Sequence, residues 1–267
     1  MLQRPHLLCR VALALLLAVT ACRVRAAPQE ISAWTYFDSP PYLTDPASNS
    51  GLARDLVDYL NRALAGRYHL TLAPIPRARL NLMLERGDRG MVLLAPSVVF
   101  NPGYPRTEAL LDDRQELLSR RDQPVDYRGP GSLAQVRLGG MRGHSYPFIQ
   151  ADIDAGRVQV HRAQSEAALL KMLMIKRLDA VTMAATSARY LAKVSPQVQA
   201  NLYYSPTNLG RFTRQLMFQG DMQAERDAFN LVVRAMAADP CWRRILSRYG
   251  LQPAARSDQA ATTTAGR

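Results

Sequence analysis

The chain has 267 residues, 48% of them hydrophobic, and carries 34 Lys and Arg against 22 Asp and Glu, a formal net charge of +12. Its length provides one large or two medium domains. The charge balance does not read as a nucleic-acid surface, because the arginines are scattered over every segment and are not clustered with aromatic or groove-fitting elements; an anionic ligand, an anionic membrane surface or plain solvated charge accounts for it.

Residues 1–26 have the layout of a secretory signal: Arg4 and Arg10, an uncharged apolar run over 11–21, then small residues. The run is shorter than the roughly 20 apolar residues of a spanning helix, and no later stretch approaches that length. Val24-Arg25-Ala26 offers cleavage after Ala26, whereas Val19-Thr20-Ala21-Cys22 resembles a lipoprotein box in which Cys22 carries lipid. Either way the expected location is the periplasm. Loss of Arg4, Arg10, Arg23 and Arg25 leaves 30 basic against 22 acidic residues. Cysteine 241 is the one thiol certain to remain, so no internal disulfide is expected, and Cys241 itself reads as a buried thiol of the last helix.

Residues 31–37 alternate and are rich in aromatic and β-branched side chains, which predicts a strand stopped by Ser39-Pro40-Pro41. Leu52, Leu56, Val57, Leu60 and Leu64 recur at helical spacing up to Gly66; 68–73 is strand-like; Pro76 opens a second helix that ends at Gly87; and 91–95 is a short buried strand. This rhythm implies βαβ units and a largely parallel sheet. A strand is expected near 115–119, followed by a polar connection at 120–124 and a Gly-Pro-Gly turn at 129–131, a composition shift that marks a crossing between domains. Further on, 137–141, 158–161 and 179–183 read as strands, 147–155 as a helix and 166–175 as a helix capped by Ser165. Residues 203–211 are loop-like, 215–219 a strand, 222–238 a helix, and Asp239-Pro240 starts a final helix, while the Ala, Thr and Ser tail from 253 lacks apolar anchors and is expected to be disordered.

Pro40-Pro41-Tyr42, Gly51-Leu52-Ala53-Arg54-Asp55-Leu56, Arg86-Gly87-Asp88, Leu138-Gly139-Gly140 with Gly143-His144-Ser145-Tyr146, Arg177-Leu178-Asp179-Ala180-Val181 and the closing stretch from Trp242 to Tyr249-Gly250-Leu251 together resemble the family 3 periplasmic solute-binding proteins of ABC importers. The likeness spans about 31–251. It implies a two-lobed α/β fold with open, mainly parallel sheets and a hinge, the first lobe formed by 27–120 with 213–267 and the second by 121–212. It also implies a monomer that closes on a small polar or anionic ligand for an ABC permease or a membrane sensor, without cofactor or metal and without catalysis.

Five residues are candidates for ligand contact. Tyr42 offers an aromatic face beside the first strand's end, where one of Trp34 and Tyr36 is expected to serve the core. Arg77, with Arg79, places positive charge at a helix start where the macrodipole favours anions; either a nearby anion resolves the conflict or both arginines are solvated at modest cost. Ser97 follows a strand at a place where the family puts hydroxyl and backbone contacts. His144 and Ser145 lie in a strand-to-helix loop whose backbone N–H groups suit an anion, the plainer role of Ser145 being a helix cap. Two features depart from the family: Ser97-Val98-Val99-Phe100 lacks its Thr-x-x-Arg, and Thr182-Met183-Ala184 lacks the Asp that takes an α-ammonium group. A standard α-amino acid is therefore not the expected ligand.

No pair of histidines has metal-ligand spacing, and there is no Gly-x-Ser-x-Gly or Walker loop. Two other readings stay open. One is a dehydratase-like enzyme on the same fold, which needs a cleft carboxyl of raised pKa and has Glu108 and Asp179 as its nearest candidates. The other is a receptor or docking module without a small ligand.

Overall fold

The computed structural model describes residues 27–45 and 47–254. Residues 1–26, expected to be a signal segment, with Cys22, and residues 255–267 lie outside the described residues. Strand β1 (Gln29–Thr35) pairs in parallel with β2 (Tyr68–Pro74) and β3 (Met91–Pro96), with helices α1 (Leu52–Ala63) and α2 (Arg77–Arg86) as the connections. In the second half β5 (Leu138–Met141) pairs in parallel with β6 (Val160–Ala163) and β7 (Ala180–Ala184). Between β5 and β6 lie a 3-10 turn (Pro147–Ile149) and the short α3 (Gln150–Asp154), where one helix was expected; α4 (Glu166–Met174) leads to β7. Ser165 caps α4 as predicted, its Oγ accepting from the Ala168 N–H at 3.1 Å.

Two long strands join these blocks. β4 (Leu111–Arg120) pairs antiparallel with β9 (Gly210–Phe218) through Leu111–Gln115 and with β7 through Gln115–Ser119, while β9 runs on to pair with β3. Short β8 (Leu202–Tyr204) also pairs with β4. Among the described residues all nine strands thus form one hydrogen-bonded sheet, parallel within each block and antiparallel where the blocks meet. The chain passes between cores inside β4 and β9: Leu110 and Leu111 belong to the core of the first block and Leu117 and Leu118 to those of the second, and on the return Leu209 lies in the second and Leu216 in the first. Residues 120–123 form a tight turn at the end of β4, the Gln123 N–H donating to the Arg120 carbonyl.

Helices α5 (Ala185–Val194) and α6 (Pro196–Ala200), with β8, occupy a stretch in which the sequence pattern predicts no helix. α7 (Gln223–Met236) and α8 (Pro240–Arg248) return to the first core. Cys241 is exposed, contrary to expectation, because the buried stripe of α8 runs through Trp242, Ile245 and Leu246 and leaves its second residue outside. Pro76 precedes α2 as its cap residue and is not its first helical one.

α1 buries Leu52, Leu56, Val57 and Leu60 and has Asp55 in its first turn, where a carboxylate suits the dipole. Its first N–H groups are taken by the preceding loop, Leu52 donating to the Pro41 carbonyl (2.8 Å) and Ala53 to that of Tyr42 (3.1 Å). Gly51 makes this possible: its φ is +132°, and a Cβ there would collide with the Tyr42 carbonyl oxygen. The result is a fixed position for Tyr42.

Trp34 packs in the first core with its indole against Gly90, where a Cβ would fall inside the ring's contact shell. Gly90→Ala is expected to lower stability by about 1–3 kcal/mol through overpacking. Urea unfolding followed by tryptophan fluorescence measures this, and an unchanged midpoint would contradict the packing.

Candidate functional site

Because β1 ends at Thr35, Tyr36 and Phe37 leave the ladder and turn toward the second block. They meet the loop after β5, the start of α4 and the end of β7 across a cavity of about 60 Å3. Tyr42, Arg77, His144 and Ser145 line this cavity. Ser97 does not: its Oγ accepts from the Thr213 N–H (3.1 Å) and its own N–H donates to the Thr213 carbonyl (2.9 Å), so it staples the end of β3 to β9. Trp34 serves the core and Tyr36 the cavity. Ser145 caps no helix, since the 3-10 turn starts after Tyr146 without a side-chain cap.

The base of the cavity is an ion pair the sequence pattern does not predict. Arg214 (1% exposed) on β9 donates from Nε to Asp113 Oδ2 (0% exposed) on β4 at 2.6 Å. Asp113 also accepts from the Thr186 hydroxyl (2.6 Å) and backbone N–H (3.1 Å), which caps α5 from another strand. Arg214 Nη1 reaches the Leu94 carbonyl at 3.1 Å; Leu94 sits at φ +51° within the bulge between Val92 and Ala95, a costly conformation for leucine that turns this carbonyl toward the guanidinium. The guanidinium carbon lies 4.9 Å from the ring centres of both Phe37 and Tyr42 and 5.2 Å from that of Phe212. The charge of Arg214 is therefore matched within the protein.

Arg77 is different. Its guanidinium carbon lies 4.8 Å from the Tyr36 ring centre and 4.4 Å from that of Phe100, its Nε donates to Asn81 one turn on (2.9 Å), and no carboxylate pairs with it among the described residues. The aromatic faces and Asn81 thus answer part of its conflict with the helix dipole. His144 packs edge-on to Tyr36 and Phe37 at 5.7 and 5.8 Å, and burial, followed by the charges of Arg77, Arg214 and Arg162, pushes its pKa down to about 4.

Glu166, the first residue of α4, is the carboxyl of the cavity. Burial pushes its pKa up to about 7, against the opposing pull of the Ser187 and Ser39 hydroxyls and of Arg214. The Tyr42 hydroxyl, beside Thr186, and Ser187 Oγ, beside Glu166, are buried close to these neighbours but form no hydrogen bond of full geometry among the described residues. Polar atoms in this condition mark a place where a ligand can complete the bonding. Glu108 and Asp179 stand elsewhere, Glu108 paired with Arg234 (2.6 Å) and Asp179 with Arg137 (2.6 Å). Glu166 follows β6 just as His144 follows β5, so the strand-end rule that selected His144 also points to it; Asp113 and Arg214 had no comparable local signal.

No protein-family model matches the chain, and no curated protein matches it. Solved structures do. The P235GK mutant of ArgBP from T. maritima is 16% identical, with a TM-score of 0.66 over 82% of this chain and 94% of that one. A putative binding component of an ABC transporter from Wolinella succinogenes, complexed with lysine, is 14% identical, with a TM-score of 0.67 over 82% and 94%. The ancestral amino acid-binding protein AncCDT-1, a precursor of cyclohexadienyl dehydratase, is 14% identical, with a TM-score of 0.65 over 82% and 95%. The fold is accordingly the two-lobed, periplasmic-binding-protein-like α/β fold. At these identities the likeness is one of fold.

Asp113→Ala is expected to cost about 3–5 kcal/mol by leaving Arg214 buried and unpaired, and Asp113→Leu combined with Arg214→Met to recover most of it; equilibrium unfolding decides, and a single-variant loss under about 1 kcal/mol would deny the pair its role. The two shifted groups predict opposite pH trends. The native state refuses a proton at His144 between about 6.5 and 4, so His144→Gln should gain stability relative to wild type as pH falls through that window. It keeps a proton on Glu166 between 4.5 and about 7, so Glu166→Gln should gain as pH rises through that one. Thermal unfolding across a pH series measures both.

Proposed function

We propose that this chain is a divergent family 3 solute-binding protein that captures a small polar or anionic molecule between its lobes, for import through an ABC-type permease or for sensing. The observation that carries the reading is the cavity walled by both lobes, in which the buried Tyr42 and Ser187 hydroxyls form no hydrogen bond of full geometry among the described residues. Ligands of open α/β folds lie outside strand carboxyl ends, and here Tyr36, Val98, His144 and Ala184 all follow or end parallel strands. Binding across two lobes favours the closed form, which a permease or receptor can distinguish from the open one.

The reading includes a first lobe of 27–120 with 213–267 and a second of 121–212, and ligand contacts from Tyr42, Arg77, His144 and Ser145; the separate cores support a division into two lobes, with Leu117 and Leu118 already packed into the second. Ser97 acts by holding β3 to β9. The exported, periplasmic location rests on the composition of 1–26, and among the described residues no helix is long and apolar enough to cross a membrane. The solved structures of this fold that carry lysine or arginine support small-molecule capture, and the cavity weighs against a docking module without a ligand.

Thermal unfolding against amino acids, amines, organic acids and small peptides tests the reading. A ligand at about 100 times its Kd adds roughly 2.7 kcal/mol and raises Tm by a few degrees; silence across all four classes would reject capture. One arrangement favours a second reading, acid catalysis: Glu166 is a carboxyl on the lining of the cleft cavity, and burial raises its pKa to about 7. Product formed from a bound compound by the wild type but not by Glu166→Gln would establish it.

A further inference from the structure

Behind the wall formed by Tyr36, Phe37, Arg77, Met141 and His144 lies a second and larger pocket of about 360 Å3. It too is an interlobe space. The first lobe contributes the end of β1 with Asp38, Leu43 and the segment from Pro74 to Ala78; the second contributes 141–144 and Gln164. Its size falls within the range of small-molecule sites, whereas the cavity at Tyr42 and Glu166 measures only about 60 Å3.

The charges of this outer pocket are unbalanced. Arg77 enters from the first lobe and Arg142 from the second. Neither guanidinium has a carboxylate partner among the described residues; Arg142 makes no side-chain hydrogen bond there, and Arg77 bonds only to neutral groups, Asn81 and the Tyr36 hydroxyl. Asp38 is the one carboxylate on the lining and His144 the one imidazole, which leaves two fixed cations against one anion. His144 lies in the same positive surroundings: burial first, and then the charges of Arg77, Arg214 and Arg162, lower its pKa. Arg77 and Arg142 line the same space from opposite lobes, so their like charges repel across it, and an anion placed between them removes that cost. The remaining walls, Leu43, Pro74, Ile75, Pro76 and Met141, are apolar.

We propose that this outer pocket seats a small organic monoanion, a carboxylate on a short apolar or aromatic body, with Arg77 and Arg142 gripping the carboxylate from opposite lobes. The proposal rests on capture between the lobes and specifies where and what is captured. The body of the anion lies along the proline and leucine wall, and its charge completes the closed state.

Calorimetric titration of the full chain with phenylacetate and hexanoate, and with their neutral amides, tests it. The acids are expected to bind at least ten-fold more tightly than the amides, with affinity falling as salt rises. Arg142→Gln should weaken acid binding at least ten-fold; as the altered side chain is exposed and unpaired, the unliganded Tm should stay unchanged. Asp38→Asn should tighten binding, and Arg79→Gln, an exposed arginine lining neither pocket, should leave it alone. Equal binding of acid and amide overturns the proposal, as does equal weakening by Arg142→Gln and Arg79→Gln, which would reveal only a diffuse field. Failure of both acids to bind also overturns it, while stabilisation by another class of compound in the thermal series would leave capture standing.

Discussion

The buried pair of Arg214 and Asp113 is the constraint on which the rest of the structure depends. Each sits on one of the two strands that pass between the cores, and each is bonded beyond its partner: Asp113 to the first turn of α5, Arg214 to the bulged backbone of β3 and to the faces of Phe37, Tyr42 and Phe212. A buried ion pair is a doubtful source of net stability, because desolvation offsets much of its attraction. Its value lies in geometry. One carboxylate and one guanidinium fix a helix end, a strand kink and three rings at the junction of the lobes.

This arrangement also separates two kinds of arginine. Arg214 is the deeper and touches three rings, yet its charge is matched inside the protein; Arg77, half-buried and stacked on two rings, has no counter-ion among the described residues. A basic chain can thus hold both a structural cation and a receptive one within a single cleft, and the hydrogen bonds, not the depth of burial, tell them apart.

Much of the fold was legible because parallel strands, amphipathic helices and caps leave short-range marks: the stripe of α1, the Ser165 cap of α4 and the Asp239 start of α8 are local signals. What was not legible depended on distant partners. α5 begins directly at the end of β7 with Ala184 as its cap residue, and the oxygen that accepts the Thr186 N–H comes from Asp113, 73 positions away. The first part of β4 reads Leu-Asp-Asp-Arg-Gln-Glu, too polar for a buried strand until Asp113 and Glu116 find Arg214 and Arg114. The same dependence hid Asp113 and Arg214 from the list of cleft residues, whereas Tyr42, Arg77, His144 and Ser145 announced themselves by their place beside strand ends or helix starts. The fate of Ser97 was set by its neighbour on β9, which no local pattern records.

The two lobes share strands, and this has a consequence for their independence. The contiguous stretch 121–212 contains β5 to β8 but lacks β4 and most of β9, so isolating it would strip β7 of the partner along Ala180–Ala184 and bare a row of unpaired backbone groups. The second lobe is a lobe only in the company of the first. Evolution by shuffling one lobe onto a foreign partner would have to carry the crossing strands with it, and with them the paired charges at their centre.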